Sequence, residues 1–176
     1  MISILATVDG STASRAVIPA LEKLAEDVSA RVTLLTVVER PRGTPQRVST
    51  PQAQSSGEYD AAGGVPSPFT RVSPEPVWAE SGEQALDRAM AEGRDFLEAS
   101  AKPLRARNIK VETEVVVEHG VAEAIVDFAR AKKFDMIAMA THGRGGLNEL
   151  VQGSVASAVV KSGVAPVLLV RPSKAK

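Results

Sequence analysis

The chain has 176 residues, with 21 Lys and Arg balanced by 21 Asp and Glu, and no cysteine. That length suits one domain, or two at most, and is enough to bury a sizeable core. Zero formal net charge argues against a protein that works by neutralising nucleic-acid or lipid phosphates, and the lack of Cys excludes disulfides, zinc fingers and a thiol nucleophile.

Residues 2–8 (Ile-Ser-Ile-Leu-Ala-Thr-Val) form a nearly continuous apolar run that stops at Asp9-Gly10-Ser11. Such a run predicts a parallel strand covered on both faces, followed by a turn. Met1 leads straight into it, with neither a basic segment nor a cleavage site, so no signal peptide is expected. No apolar run approaches the roughly 20 residues of a membrane span. A soluble, cytoplasmic protein is the expectation. Ser11 or Thr12 is placed to cap the next helix, whose apolar face is Val17, Leu21, Leu24 and Val28. Pro19 removes a backbone donor there and predicts a kink or a looser first half.

Residues 31–38 are rich in β-branched side chains and predict the second strand. Seven of the eleven prolines then fall between residues 41 and 82, among many Ser, Gln and Gly. Few large apolar residues accompany them beyond Tyr59, Phe69 and Trp78, so this stretch is read as a long mobile insertion. From Glu83 to about Arg107 helical spacing returns through Leu86, Met90, Leu97, Ala101 and Leu104, with Pro103 expected to disturb the last turn. Residues 109–117 alternate apolar and charged before turning apolar, which predicts a strand near a sheet edge.

Val121, Ala124, Ile125, Phe128 and Ala129 mark the next helix, and Asp135 is read as a cap before a buried strand from Met136 to Ala140. A Gly-rich loop, Thr141 to Gly153, feeds a short helix at Ser154–Ser162, and Pro166–Arg171 is the last strand. Strands that alternate with helices predict parallel pairing through right-handed crossovers. The expected fold class is α/β: a single domain over residues 1–176, with an open doubly wound sheet and helices on both faces.

In such sheets a ligand binds beyond the carboxyl ends of the strands, where strand order reverses. Two segments lie at such ends: Thr7-Val8-Asp9-Gly10-Ser11, and the stretch from Met139-Ala140-Thr141-His142-Gly143-Arg144 to Gly153-Ser154-Val155. In the second, an open loop meets a helix N-terminus, whose unpaired amides and positive dipole end suit an anion. Gly153 would let main chain approach a phosphate closely, Ser154 adds a hydroxyl, and Arg144 is within reach of a distal phosphate. Neither G-x-x-x-x-G-K-[ST] nor G-x-G-x-x-G after the first strand is present, which argues against a P-loop or a dinucleotide site. His142 and His119 lack partners at ligand or acid–base spacing and are read as loop residues.

With V-D-G-S closing the first strand, P-V-L-L-V in the last, and Ala140, Gly143, Gly153 and Ser154 spaced two and nine residues apart, the chain resembles the universal stress protein family, in its ATP-binding branch. The resemblance covers all but about residues 41–82. It implies five strands in the order 3-2-1-4-5, with Asp9 near the ribose or adenine and Val37 at the adenine through its main chain. Thr7, Met139 and Ala140 would join them, while Gly143, Arg144, Gly153, Ser154 and Val155 line the phosphates. Mg²⁺ or Mn²⁺ would be held through the phosphates. A homodimer through Val164 to Val170 is also implied. Ala140 departs from the family's glycine, and its methyl is expected to weaken binding rather than abolish it.

The leading expectation is thus an ATP-binding, homodimeric regulator or sensor in the stress response, with no membrane or nucleic-acid partner. A module of the same fold that binds proteins instead, at the dimer or the 41–82 loop, is the second reading. A slow ATPase is the third, because no general base is evident beside a positioned nucleophile.

Overall fold

Five strands, β1 (Ile2–Thr7), β2 (Ala30–Glu39), β3 (Lys110–Glu118), β4 (Met136–Ala140) and β5 (Val167–Val170), form one all-parallel sheet. Helices α1 (Val17–Asp27), α2 (Gly82–Ala106), α3 (Val121–Lys132) and α4 (Ser154–Ser162) connect them. The computed structural model describes residues 1–40, 82–141 and 153–172. Strand order is β3-β2-β1-β4-β5, as expected, so β1 is central and β3, the half-charged strand, lies at one edge.

The sheet separates two apolar layers by the alternation of its side chains. Ile4, Ala6, Val32, Leu34 and Ala138 face α1 and α2, where Val17, Leu21, Leu97, Ala101 and Leu104 are fully buried. Leu5, Leu35, Ile137 and Met139 face the other way, onto Ile125 and Ala129 of α3 and Ala156 and Val159 of α4. Covering both faces explains why the central strands read as continuous apolar runs. Among the described residues no helix is long and apolar enough to cross a membrane.

Both prolines in question are absorbed. The chain makes a 3-10 turn at Ser14–Ala16 and α1 begins only at Val17, which puts Pro19 in the first helical turn. An amide there has no intrahelical acceptor to lose, so the looser segment precedes the proline rather than containing it. Pro103 does not end α2, which continues to Ala106. Its last turns are held by the buried Leu97, Ser100, Ala101 and Leu104, while Pro103 itself is exposed. Outside α2, Tyr59, Phe69 and Trp78 and the rest of the 41–81 stretch lie outside the described residues.

Asp135 does more than cap its own turn. Its Oδ2 accepts from the Ser3 amide (2.8 Å) and the Ser3 hydroxyl (2.7 Å), and its own amide donates to the Ser3 carbonyl (3.0 Å). This clasp joins the beginnings of β1 and β4, 132 residues apart. The Ser3 amide, then the Ser3 hydroxyl, hold the Asp135 carboxyl below its ordinary pKa. A carboxyl depressed in the folded state contributes stability above its unfolded pKa of about 3.9, and the contribution disappears as pH falls through the folded value. Asp135→Ala is expected to lower the urea midpoint at pH 7, with the gap from wild type closing below pH 4. A gap that does not narrow as pH falls below 4 would show that the carboxylate is not its source.

Candidate functional site

β1 is paired on both sides as far as Thr7, whose partners are Leu35 of β2 and Met139 of β4. Beyond that point the chain holds itself by other means. The Val8 amide donates to the Leu35 carbonyl (2.9 Å), and the Thr36 hydroxyl donates to the Val8 carbonyl. The Asp9 amide donates to Ser14 Oγ (3.2 Å), and the Ser11 amide donates to Asp9 Oδ1 (3.0 Å). Gly10 has φ +84°, in the left-handed region where glycine is favoured, and it turns the chain back toward Ser11. The Ser11 hydroxyl caps no α-helix; it accepts from the Ser14 amide (3.1 Å) and so closes the 3-10 turn. Asp9 therefore organises the turn and also lines the cleft above it.

Across that cleft stands the start of α4. The Thr141 amide donates to the Val170 carbonyl (3.0 Å), and the Gly153 amide donates to the Thr141 carbonyl (3.1 Å). The Ser157 amide closes the first helical bond, to Gly153 (2.9 Å). This leaves the amides of Ser154, Val155 and Ala156 without intrahelical acceptors, and no side chain caps the helix. Gly153 is glycine for a reason the sequence does not show. A Cβ there would lie 3.2 Å from the Thr141 carbonyl oxygen, so the residue permits the close approach of β4's end to α4. Its own amide is committed to that carbonyl rather than open to a ligand.

The cleft between these two ends encloses about 990 Å³, at the upper end of what small-ligand sites occupy. Thr7, Asp9, Val37, Met139, Ala140, Gly153, Ser154 and Val155, all singled out in the sequence, line it together. Gly143 and Arg144, with His142, fall outside the described residues. His119 is exposed just beyond β3.

Sequence reasoning missed the wall supplied by α2. Ala89, Glu92, Gly93 and Phe96 face the cleft, and the small residues at i and i+4 let the helix lie close on β2. A Cβ on Gly93 would sit 3.1 Å from Thr36 Cγ2, with Val115 at 3.7 Å. Phe96 is held from outside by Arg15, whose guanidinium stands 4.4 Å from the ring centroid. Ala89, Gly93 and Phe96 on one helical stripe were the available signal, and the apolar face read from Leu86, Met90, Leu97, Ala101 and Leu104 left them out.

Charge is divided across the cleft. Asp9, Glu39 and Glu92 lie on its β1, β2 and α2 walls, while the α4 amides carry the partial positive charge of a helix start. Glu92 also pairs with Arg88 at 3.7 Å, but both are mostly exposed and the pair adds little stability. Gly93→Val is expected to cost about 1–3 kcal/mol by overpacking against Thr36 and Val115. Urea unfolding measures it, and an unchanged midpoint would mean that α2 does not lie that close to β2.

A universal stress protein of Methanocaldococcus jannaschii is 36% identical over 108 residues, which is 61% of either chain. The chain thus matches about three fifths of that relative's length. Among solved structures, the universal stress protein UspA of Lactobacillus plantarum has the same fold, with a TM-score of 0.70, 19% identity and 97% of both chains covered. That of Archaeoglobus fulgidus in complex with dAMP matches with a TM-score of 0.59 and 15% identity, over 97% of this chain and 98% of the other. At such identities these two likenesses speak for the fold alone. The family model described as "Universal stress protein family" matches residues 1–171, nearly the whole chain, and the protein therefore belongs to that family.

Proposed function

We propose that this protein binds ATP in the cleft between Asp9 and α4 and acts as a homodimeric, nucleotide-dependent regulator or sensor in the stress response. One observation carries the reading. Three open amides, Ser154 to Ala156, form one wall of a cleft whose opposite wall carries the Asp9 carboxylate. Roughly half an elementary positive charge resides at such a helix start, which suits a polyphosphate. The Asp9 carboxylate suits hydroxyl or amino donors of a ribose or base. Between them, Leu35, Val37, Val121 and Ile125 supply an apolar lining on which an adenine can rest. The Archaeoglobus relative's complex with dAMP supports an adenine nucleotide as the ligand class.

In this reading Val37 meets the base through its main chain, and Thr7, Met139 and Ala140 lie under the sugar. Ser154 and Val155 bind phosphate directly, while Gly153 holds the helix start in place. Gly143 and Arg144 complete the phosphate side, with Arg144 on the distal group. A Mg²⁺ or Mn²⁺ ion would be held by phosphate oxygens and water, since among the described residues no cluster of three His, Asp or Glu could hold one. β5, an edge strand with β4 on one side only, supports a dimer formed through Val164 to Val170.

Ala140 favours a second reading, in which the cleft holds no nucleotide and protein partners dock on the dimer or on the 41–82 stretch. Isothermal titration separates the two: wild type is expected to bind ATP, and Gly153→Val to bind at least about ten-fold more weakly. The added side chain presses on the Thr141 carbonyl and moves the α4 amides by more than one hydrogen bond's worth of alignment. Equal affinities would reject the phosphate site, and no heat from wild type would favour the second reading. Sedimentation equilibrium is expected to give twice the 18.5 kDa chain mass. A monomer would remove the dimer.

A further inference from the structure

The Val8–Asp9 peptide group is gripped at both of its polar ends by side-chain hydroxyls. Its carbonyl accepts from Thr36 Oγ1, and its amide donates to Ser14 Oγ at 3.2 Å. These hydroxyls come from β2 and from the 3-10 turn, and both residues are nearly buried, Ser14 4% exposed and Thr36 7%. Ser14 is fixed in turn, its hydroxyl donating to the Ser11 carbonyl (2.9 Å) and its amide to Ser11 Oγ (3.1 Å). Thr36 is backed by the close approach of Gly93 to its methyl group.

We infer that Ser14 and Thr36 are positioning residues: together they form a clamp that fixes the Val8–Asp9 peptide plane, and so aims the Asp9 carboxylate into the cleft. A rigid peptide plane held before Asp9 fixes its N–Cα bond, so only φ is left to decide where Cα–Cβ points, and the Ser11 amide's bond to Asp9 Oδ1 (3.0 Å) restrains that rotation. At this place the sheet ladder no longer does the same: β1's pairing with β2 and β4 ends at Thr7, and beyond it the Val8 amide bonds the Leu35 carbonyl of β2. Hydroxyls from two separate elements replace that ladder. A carboxylate held this way meets a ligand without first losing conformational freedom, which is the advantage of a preorganised site.

The inference rests on the nucleotide reading for its ligand but not for its geometry, and two measurements keep those apart. In the first, amide hydrogen exchange is followed by NMR on the ligand-free protein. Asp9 should be protected in wild type and should exchange at least ten-fold faster in Ser14→Ala, with core amides such as that of Leu5 unchanged. An unprotected Asp9 amide in wild type, or equal protection in Ser14→Ala, overturns the clamp.

In the second, ATP affinity is measured for Ser14→Ala and Thr36→Val, each alone and combined with Asp9→Ala. Each single variant is expected to bind about ten-fold more weakly, the effect of one misdirected hydrogen bond. Neither should weaken binding further once Asp9 is removed, and Thr36→Ser, which keeps the hydroxyl, should restore affinity. Equal losses with and without Asp9 would show a merely structural role and overturn the inference. If wild type takes up no ATP, the nucleotide reading fails, and the exchange measurement alone decides the clamp.

Discussion

The chain builds its sheet outward from the central strand first on one side and then on the other, and the rest of the molecule depends on that. From β1 the chain moves outward through β2 to β3, then returns across the sheet to place β4 on β1's other side. Right-handed connections then put α1 and α2 on one face and α3 and α4 on the other. At the carboxyl end of β1 the two layers diverge, and nothing in the sheet fills the gap. The cleft is a consequence of that strand order rather than of any residue within it.

A gap of this kind creates a polar deficit. Backbone groups that a strand or helix would otherwise pair are left at its rim, and each must find another partner. On the β1 side the molecule supplies several of those partners itself: Thr36 takes the Val8 carbonyl, Ser14 the Asp9 amide and the Ser11 carbonyl, and Asp9 the Ser11 amide. On the α4 side it does so only for Gly153, whose amide goes to Thr141, and leaves the next three amides open. One wall is therefore largely self-paired, and the other is an acceptor-seeking surface. That asymmetry is what a ligand with anionic oxygens at one end and hydrogen-bond donors at the other would complete.

Much of this was legible in the sequence because the signals involved are local. β4 and the nine residues of α4 fall where apolar runs and the Gly153-Ser154 step put them, and the charged alternation of residues 110–114 marked β3 as an edge. Pairings between distant residues were less accessible. Asp135 reads as a turn cap, yet its carboxylate serves Ser3 at the far end of the sequence. Ser11 reads as a helix cap, yet a 3-10 turn intervenes and its hydroxyl takes the Ser14 amide. The α2 wall was hidden for another reason. Gly93 looks like a weak helix position until the approach of α2 to Thr36 shows what its small size permits.

The same geometry bears on Ala140, the one departure from the family's glycine spacing. Side chains alternate along β4, and Ala138 belongs to the layer under α1 and α2. Ala140, two residues on and still paired with Val170, directs its methyl to that same face. The α4 amides lie on the opposite face, with Met139, Ala156 and Val159. The extra methyl therefore lies on the α1–α2 side of the cleft rather than on the side of the helix start. Its effect falls on whatever part of a ligand lies over the β1–β4 seam, the sugar in the proposed arrangement, and not on the phosphates. A single methyl at the edge of a cleft of about 990 Å³ is a small obstruction.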